Sequence, residues 1–452
     1  MSTTADVIVL GMGPGGEYLA GKLADAGRDV IGIDHRLVGG ECPYWGCIPS
    51  KMMVRAADLI AEARRLPDFA GTLKVEPNWT KVASRIRNEA TDNWDDKVAV
   101  ERFEKKGGRF VRGTGRLTGT KSVEVDGTEY TAERALVVAT GTEPVIPPID
   151  GLSNVDYWTN REAIEADHVP SSLVVLGGGA IGCELAQVFA HFGSEVTIVE
   201  GERHILSMEE VEACELLQKT FSDEGITIAT GAKATSVSKQ HGKVYVRLQE
   251  GQDVSGERLL VATGRRADLK RLNVEAAGLD PEAKFIEVDD HLRAGDGLWA
   301  LGDVTGKGLF THIAMYHAAI IFKDLQGEAV EPADYAALPR VTFTDPEIGA
   351  AGLTEPKARE QGIDVAVGKS DIPSSTRGWI HKGEGFIKLV ADRKRGVLVG
   401  ATSAGPCGGE VLSMLALAIH ARVPLKTLGT MIYAYPTFHR AIETAVQELE
   451  KA

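Results

Sequence analysis

One pattern occurs twice in this chain, and it restricts the fold more than any other feature. Residues 6–16 read Asp-Val-Ile-Val-Leu-Gly-Met-Gly-Pro-Gly-Gly, followed by a helix-like stretch and then Asp29-Val-Ile-Gly-Ile-Asp34. Residues 172–182 read Ser-Leu-Val-Val-Leu-Gly-Gly-Gly-Ala-Ile-Gly, followed by a second helix-like stretch and Glu195-Val-Thr-Ile-Val-Glu200. A short apolar run that ends in G-x-G-x-x-G predicts a buried strand, a tight turn and a helix. Gly11 and Gly177 allow the turn. Gly13 and Gly179 let a pyrophosphate approach the backbone, and Gly16 and Gly182 let helix pack on strand. The helix N-terminus then faces the phosphates. Asp34 and Glu200, at the tips of the following strands, are placed to accept ribose hydroxyls. The chain uses one nucleotide-binding unit twice.

Elsewhere too, strand-like runs alternate with helical patterns, which predicts an α/β protein with parallel sheets. Residues 143–151, with Pro144, Pro147, Pro148 and Gly151, read as the linker between the units. The pattern changes near Leu338, where several strand-like runs precede helix-like segments at 409–422 and 438–450. The expected division is one domain from 1–147 and 268–333, a second from 148–267, and a third from 334–452. Hydrophobic residues at 43% and charged residues at 25% suit a globular chain with ample core. A net charge of −14 argues against nucleic acid or anionic membranes as partners. No apolar run reaches the roughly 18 residues that span a bilayer. A strand pattern by Asp6 leaves no room for a signal peptide. Five cysteines are too few for a secreted disulfide scaffold, so the expected location is cytoplasmic.

Between the two units lies Gly39-Gly-Glu-Cys-Pro-Tyr-Trp-Gly-Cys-Ile-Pro-Ser-Lys51. On a regular helix the spacing of Cys42 and Cys47 leaves their Cα atoms roughly 8–9 Å apart, too far for a disulfide. Gly46, with Pro43 and Pro49 as helix disruptors, lets the turn deform enough to close one. A pair that opens and closes is the simplest reading. The phrase resembles the redox-disulfide segment of the class I pyridine nucleotide–disulfide oxidoreductases. That family includes dihydrolipoamide dehydrogenase, glutathione reductase and mercuric reductase.

The resemblance implies two Rossmann-like dinucleotide-binding domains and a C-terminal α+β dimerisation domain, whose start Val341-Thr-Phe-Thr-Asp-Pro-Glu-Ile-Gly349 resembles. It assigns the first fingerprint to FAD and the second to the nicotinamide nucleotide. Ala139-Thr140-Gly141-Thr142 closes the first half, and Leu301-Gly302-Asp303 resembles the motif whose aspartate holds the ribityl chain. Ala262-Thr-Gly264-Arg-Arg266 returns the chain from the second domain to the first. Glu200 favours NAD over NADP, because a carboxylate repels a 2′-phosphate; Arg203 nearby softens this preference. By resemblance, hydride passes from nicotinamide to flavin, and the flavin reduces the Cys42–Cys47 disulfide. Cys47 then lies against the flavin, Cys42 meets substrate, Lys51 stands beside the flavin N5, and Glu184 pairs with Lys51.

The remaining cysteines read as inert: Cys183 and Cys214 in helices, and Cys407 as a small buried residue rather than a third thiol. No C-x-x-C, histidine cluster or HExxH spacing suggests a metal. One motif departs from the family. Where His-Pro-Thr-x-x-Glu is usual, the chain reads Tyr435-Pro-Thr-Phe-His439-Arg440, so tyrosine replaces the acid–base and arginine the group that orients it. A tyrosine with pKa near 10 is a poor base at neutral pH. His439 projects about 100° from the arginine's direction on a helix, although Glu443 four residues on is spaced to pair with it.

The expectation is therefore a homodimeric flavoenzyme that moves electrons among NAD(P)H, FAD and the cysteine pair. The acceptor is left open between a quinone, a metal ion and an unusual thiol or disulfide. Two further readings stand: a dihydrolipoamide dehydrogenase serving a larger dehydrogenase complex, and a non-catalytic redox sensor.

Overall fold

The computed structural model describes residues 3–451. Both fingerprints fold as strand, turn and helix. The runs Val7–Leu10 and Leu173–Leu176 are buried throughout, as befits parallel strands covered on both faces. Among the described residues, the first sheet has eight strands. Its main path runs Arg293–Gly295, Leu298–Ala300, Thr128–Val138, Thr3–Leu10, Val30–Asp34, Arg109–Arg112. Thr3–Leu10 pairs in parallel with both neighbours, so Leu10 stands beside Ile33 and Val138. That register brings Gly11, Asp34 and Ala139 to one edge, at the carboxyl ends of the strands, where open α/β sheets bind ligands.

Three helices follow closely: α1 (Pro14–Asp25), α2 (Glu41–Tyr44) and α3 (Cys47–Arg65). The second unit opens with α4 (Asn160–Glu165), then the strand Ser172–Leu176 and α5 (Ala180–His191). Its parallel sheet runs Thr227–Ala229, Glu195–Val199, Ser172–Leu176, Arg258–Val261, and a three-stranded antiparallel sheet spans residues 234–256. The chain enters this unit through Glu143–Pro144 and leaves through Arg265–Arg266, and these two segments pair antiparallel. The expected linker therefore begins as a strand, with Val145 N–H donating to the Gly264 carbonyl at 2.9 Å. Returning to the first unit, the chain forms α6 (Thr311–Gln326).

The last unit is a five-stranded antiparallel sheet within residues 339–405, with α7 (Thr376–His381) in the connection between two of its strands. Helices Gly408–His420 and α8 (Ala441–Lys451) cover it. On α8, Ile442, Ala445, Val446 and Leu449 are buried at i, i+3, i+4, i+7 spacing, the apolar stripe a helix needs to pack on a sheet. Two α/β nucleotide-binding units and a C-terminal α+β unit are the expected fold class.

Charge docks the last unit on the second. Arg340 grips both oxygens of Glu209 at 2.9 Å. Buried Lys388 reaches Glu210 at 3.0 Å, Glu212 at 2.8 Å and Glu355 at 3.0 Å. Burial works against the ammonium, but its hydrogen bonds to the three carboxylates outweigh this and raise its pKa.

Candidate active site

The glycine turns separate into positions that serve the chain and positions that face outward. A Cβ on Gly11 would lie 2.4 Å from the Ala139 carbonyl oxygen, and one on Gly16 would lie 2.0 Å from the Gly11 oxygen. Gly177 and Gly182 repeat this: a Cβ would lie 2.4 Å from the Ala262 oxygen and 2.0 Å from the Gly177 oxygen. Gly11 and Gly177 also hold φ of +103° and +105°, which only glycine tolerates readily. Gly13 and Gly179 differ. An added Cβ at either meets nothing within 4 Å, so the chain itself does not demand glycine there. Both sit at a helix N-terminus, α1 and α5 respectively, and these open cradles fit the pyrophosphates of two dinucleotides.

Asp34 and Glu200 also match. Asp34 accepts from Met12 N–H at 2.7 Å and Arg36 N–H at 2.7 Å. Glu200 accepts from Gly178 N–H at 2.6 Å and Glu202 N–H at 2.8 Å. Each carboxylate thus fastens its own glycine turn, and each oxygen keeps a lone pair for a ribose hydroxyl. Gly11, Asp34, Thr140 and Gly141 line one cleft of about 600 Å³ together with His35, Glu143 and Arg271.

Asp303 lies farther along, in one 3-10 turn (Gly302–Thr305) before α6. Burial raises its carboxyl pKa against the pull of Arg265 and a hydrogen bond from Thr142 at 3.1 Å. Arg265 in turn donates to the Thr142 hydroxyl at 3.0 Å and carbonyl at 2.7 Å. Gly302, at φ +73°, donates its N–H to Nδ1 of buried His317 at 3.0 Å. Burial and Lys307 hold the pKa of His317 down near 4, so the ring stays neutral and its Nε2–H points to the Tyr335 hydroxyl at 2.9 Å.

The cysteines occupy a broken helix. α2 ends at Tyr44, α3 begins at Cys47, and Gly46 joins them where a Cβ would lie 3.0 Å from the Glu41 carbonyl oxygen. Both thiols are free, Cys42 half-buried and Cys47 exposed. A hydrogen bond from Cys42 lowers the Cys47 pKa to about 6, with help from the Thr311 hydroxyl at 3.4 Å and the charge of Lys51. The same bond, with burial, pushes Cys42 far up. The surroundings thus favour negative charge on Cys47 over Cys42. Thr311 opens α6, whose N-terminal dipole also favours negative charge.

Lys51 stands one turn after Cys47, and its ammonium meets Glu184 at 2.5 Å and lies 4.5 Å over the Phe343 ring. The other Glu184 oxygen accepts from Phe343 N–H at 2.8 Å. Three units therefore meet at this ion pair.

The C-terminal motif forms no imidazole–carboxylate pair. Tyr435 is 66% exposed and donates to Thr376 Oγ1 on α7 at 3.1 Å. The Arg440 guanidinium lies 5.5 Å from its ring centre and pairs with Glu443 at 2.9 Å. Glu443, which is spaced to pair with His439, does not do so. Arg440 takes it instead, three residues before it, a spacing at which neighbours on one helix face meet. His439 has only a 3.5 Å contact with the Thr437 hydroxyl. Cys407, expected to be buried, is exposed on the turn before the helix Gly408–His420, and Cys183 and Cys214 are buried as expected.

Thr311, Arg265, His317 and Phe343 had not been read as site residues. Thr311, Arg265 and Phe343 lie far in sequence from the groups they touch, Thr311 by 264 positions from Cys47, and His317 lies 15 from Gly302; no motif marks them. Among the described residues no cluster is suited to a metal, and no helix is long and apolar enough to cross a membrane.

Comparison with known proteins agrees with this geometry. Residues 5–320 match the pyridine nucleotide-disulphide oxidoreductase family, and residues 338–446 match that family's dimerisation domain. The chain is 32% identical to a dihydrolipoyl dehydrogenase of Thermus scotoductus, covering 99% of this chain and 98% of that protein. It is 32% identical to a mercuric reductase of Streptomyces lividans, covering 98% and 96%. Among solved structures, the HOCl-induced flavoprotein disulfide reductase RclA of Escherichia coli aligns with a TM-score of 0.86 at 26% identity, covering 98% and 99%. LpdA of Mycobacterium tuberculosis aligns at 0.87 and 25%, covering 99% of each chain.

Proposed function

Because this chain belongs to the pyridine nucleotide–disulphide oxidoreductases, flavoenzymes whose members use FAD and NAD(P)H, we propose that it oxidises NAD(P)H with an acceptor that needs no histidine base. The first fingerprint, Asp34, Thr140, Gly141 and Asp303 hold FAD in this reading. The second fingerprint and Glu200 hold the nicotinamide nucleotide, preferably NAD. Bound FAD supplies two-electron exchange between a reduced nicotinamide and a disulfide.

The chain's own groups do the rest. Lys51, held by Glu184, places a fixed positive charge one helical turn from Cys47. Cys42 and Thr311 hold the Cys47 thiolate, and Cys42 keeps the proton. In the net reaction NAD(P)H becomes NAD(P)+ as it gives up two electrons and a proton: a quinone takes these with one further proton to become the quinol, whereas a metal ion takes the two electrons and the proton is released.

One observation supports the choice of acceptor: Tyr435 and Arg440 stand where a disulfide-exchanging site needs an imidazole and a carboxylate. Without a base near pKa 7, release of a substrate dithiol is slow, whereas a quinone or metal ion takes electrons without that step. The dimerisation-domain match suggests a homodimer. In support, Ile432 (95%) and Trp379 (73%) leave large apolar side chains exposed on that domain, near the Tyr435 motif. The second reading, a dihydrolipoyl dehydrogenase, draws on the Thermus scotoductus relative. NADH oxidation by the FAD-loaded enzyme, followed anaerobically with a naphthoquinone and with lipoamide, separates the two. The quinone is expected to turn over at least tenfold faster; equal or faster lipoamide turnover would overturn the proposal.

A further inference from the structure

The one-turn helix α2 is too short to hold its own shape, since a single turn fixes several dihedrals for one hydrogen bond. Its N-cap, Gly40, offers no side chain, and within the turn the Trp45 N–H returns to the Glu41 carbonyl at 2.8 Å. What holds it lies more than a hundred residues away, on α4. The Asn160 side-chain amide donates to the Glu41 carboxylate at 3.0 Å and to the Trp45 carbonyl at 2.7 Å. One neutral group thus staples both ends of the turn, and the Trp45 carbonyl belongs to the peptide that separates α2 from α3. Around it, Arg161 Nε donates to Glu41 at 2.7 Å, and the Trp45 indole donates to Glu165 at 2.6 Å. Asn160 is only 8% exposed. α4 is itself fixed by a complete capping box between Thr159 and Glu162.

We propose that Asn160 is a positioning residue for the cysteine pair: by stapling the α2 turn, it keeps the Cys42 thiol within donating reach of Cys47. This rests on the reading of Cys42 and Cys47 as the redox pair. The groups that face Cys47 are Cys42 on α2, Lys51 on α3 and Thr311 on α6, and Asn160 touches none of them. Any effect of Asn160 on Cys47 therefore travels through the shape of the turn. Because the amide is neutral, its removal adds no charge to confuse the result.

The test follows alkylation of Cys47 by iodoacetamide against pH in the reduced, FAD-loaded enzyme, with the modified residue identified by mass spectrometry. In Asn160→Ala the midpoint moves up by about one pH unit, toward the ordinary thiol value. In a Cys42→Ala background, where the donor is already gone, Asn160→Ala moves it no further. A midpoint unchanged in Asn160→Ala, even with a lowered unfolding temperature, overturns the inference and leaves Asn160 a purely structural residue. So does an equal shift in the Cys42→Ala background. Should Asn160→Ala not fold, Asn160→Ser, whose short hydroxyl cannot bridge the Glu41 carboxylate and the Trp45 carbonyl, is judged by the same shift. The oxidised wild type separates the two levels. Failure to form a Cys42–Cys47 disulfide refutes the redox-pair reading, whereas a normal disulfide with identical midpoints refutes only the role of Asn160.

Discussion

Single side chains carry the chemistry here, and their neighbours decide their charge. Asp58 on α3 shows the cost of a crowded junction. Burial, then the charge of Asp345, raises its carboxyl to about 6 despite His191. A carboxyl whose pKa is raised in the folded state favours folding only below its unfolded value of about 4, and that benefit disappears as pH climbs through about 6. Asp58→Asn is therefore expected to stabilise the protein by about 1 kcal/mol at pH 8, after allowance for partial exposure, and to change nothing at pH 4. Thermal unfolding at the two pH values checks this. The altered C-terminal motif makes a second case. Tyr435→His alone places an imidazole beside the Arg440 guanidinium, which keeps it from holding a proton. That variant should raise lipoamide turnover less than tenfold. Tyr435→His with Arg440→Glu restores base and orienting carboxylate together and should gain about a hundredfold. Steady-state kinetics with lipoamide decides; a large gain from the single change would show that arginine does not matter.

At the scale of elements, each strand–turn–helix unit divides its glycines between packing and binding. Gly16→Ala forces a Cβ into the Gly11 carbonyl and should cost about 1–3 kcal/mol. Gly13→Ala meets open space, so the flavin-free chain should unfold at the wild-type temperature yet retain no yellow colour after FAD reconstitution. Gly179→Ala should keep FAD and lose its reduction by NADH. Thermal unfolding reads the stability of Gly16→Ala and Gly13→Ala, and absorbance at 450 nm with an anaerobic NADH titration reads flavin retention and reduction. Loss of flavin from Gly179→Ala would reverse the assignment of the two turns.

Across the whole molecule, charge reinforces an apolar core that already runs through all three units. Lys388 is the clearest joint: it is shared by three carboxylates, and one oxygen of Glu212 already lacks a hydrogen-bond partner. Lys388→Met leaves Glu210, Glu212 and Glu355 facing one another and should cost about 3–5 kcal/mol at pH 7. The lysine's raised pKa keeps its contribution complete at neutral pH; the loss begins above the ordinary lysine value of about 10.5 and runs up to the folded value in strong alkali. The variant should regain stability near pH 5 as the carboxylates take up protons, which a pH series of unfolding curves measures.

The duplicated glycine turns, the strands that lead into them and the broken helix at Gly46 were all legible in the chain. Each is a rule of local sterics that acts within about twenty residues. Lys51 could be placed beside Cys47 for the same reason, by one turn of helix. The positions of Thr311, Asn160 and Arg265 could not, because what marks them is a partner far away in sequence and no pattern of their own. Glu443 shows the limit from the other side: its spacing suits both His439 and Arg440, and the folded chain gives it to Arg440. Local backbone preference wrote the strand–turn–helix architecture into the sequence, while tertiary packing alone brought Thr311 and Asn160 to the cysteine turn and Glu184 and Phe343 to Lys51.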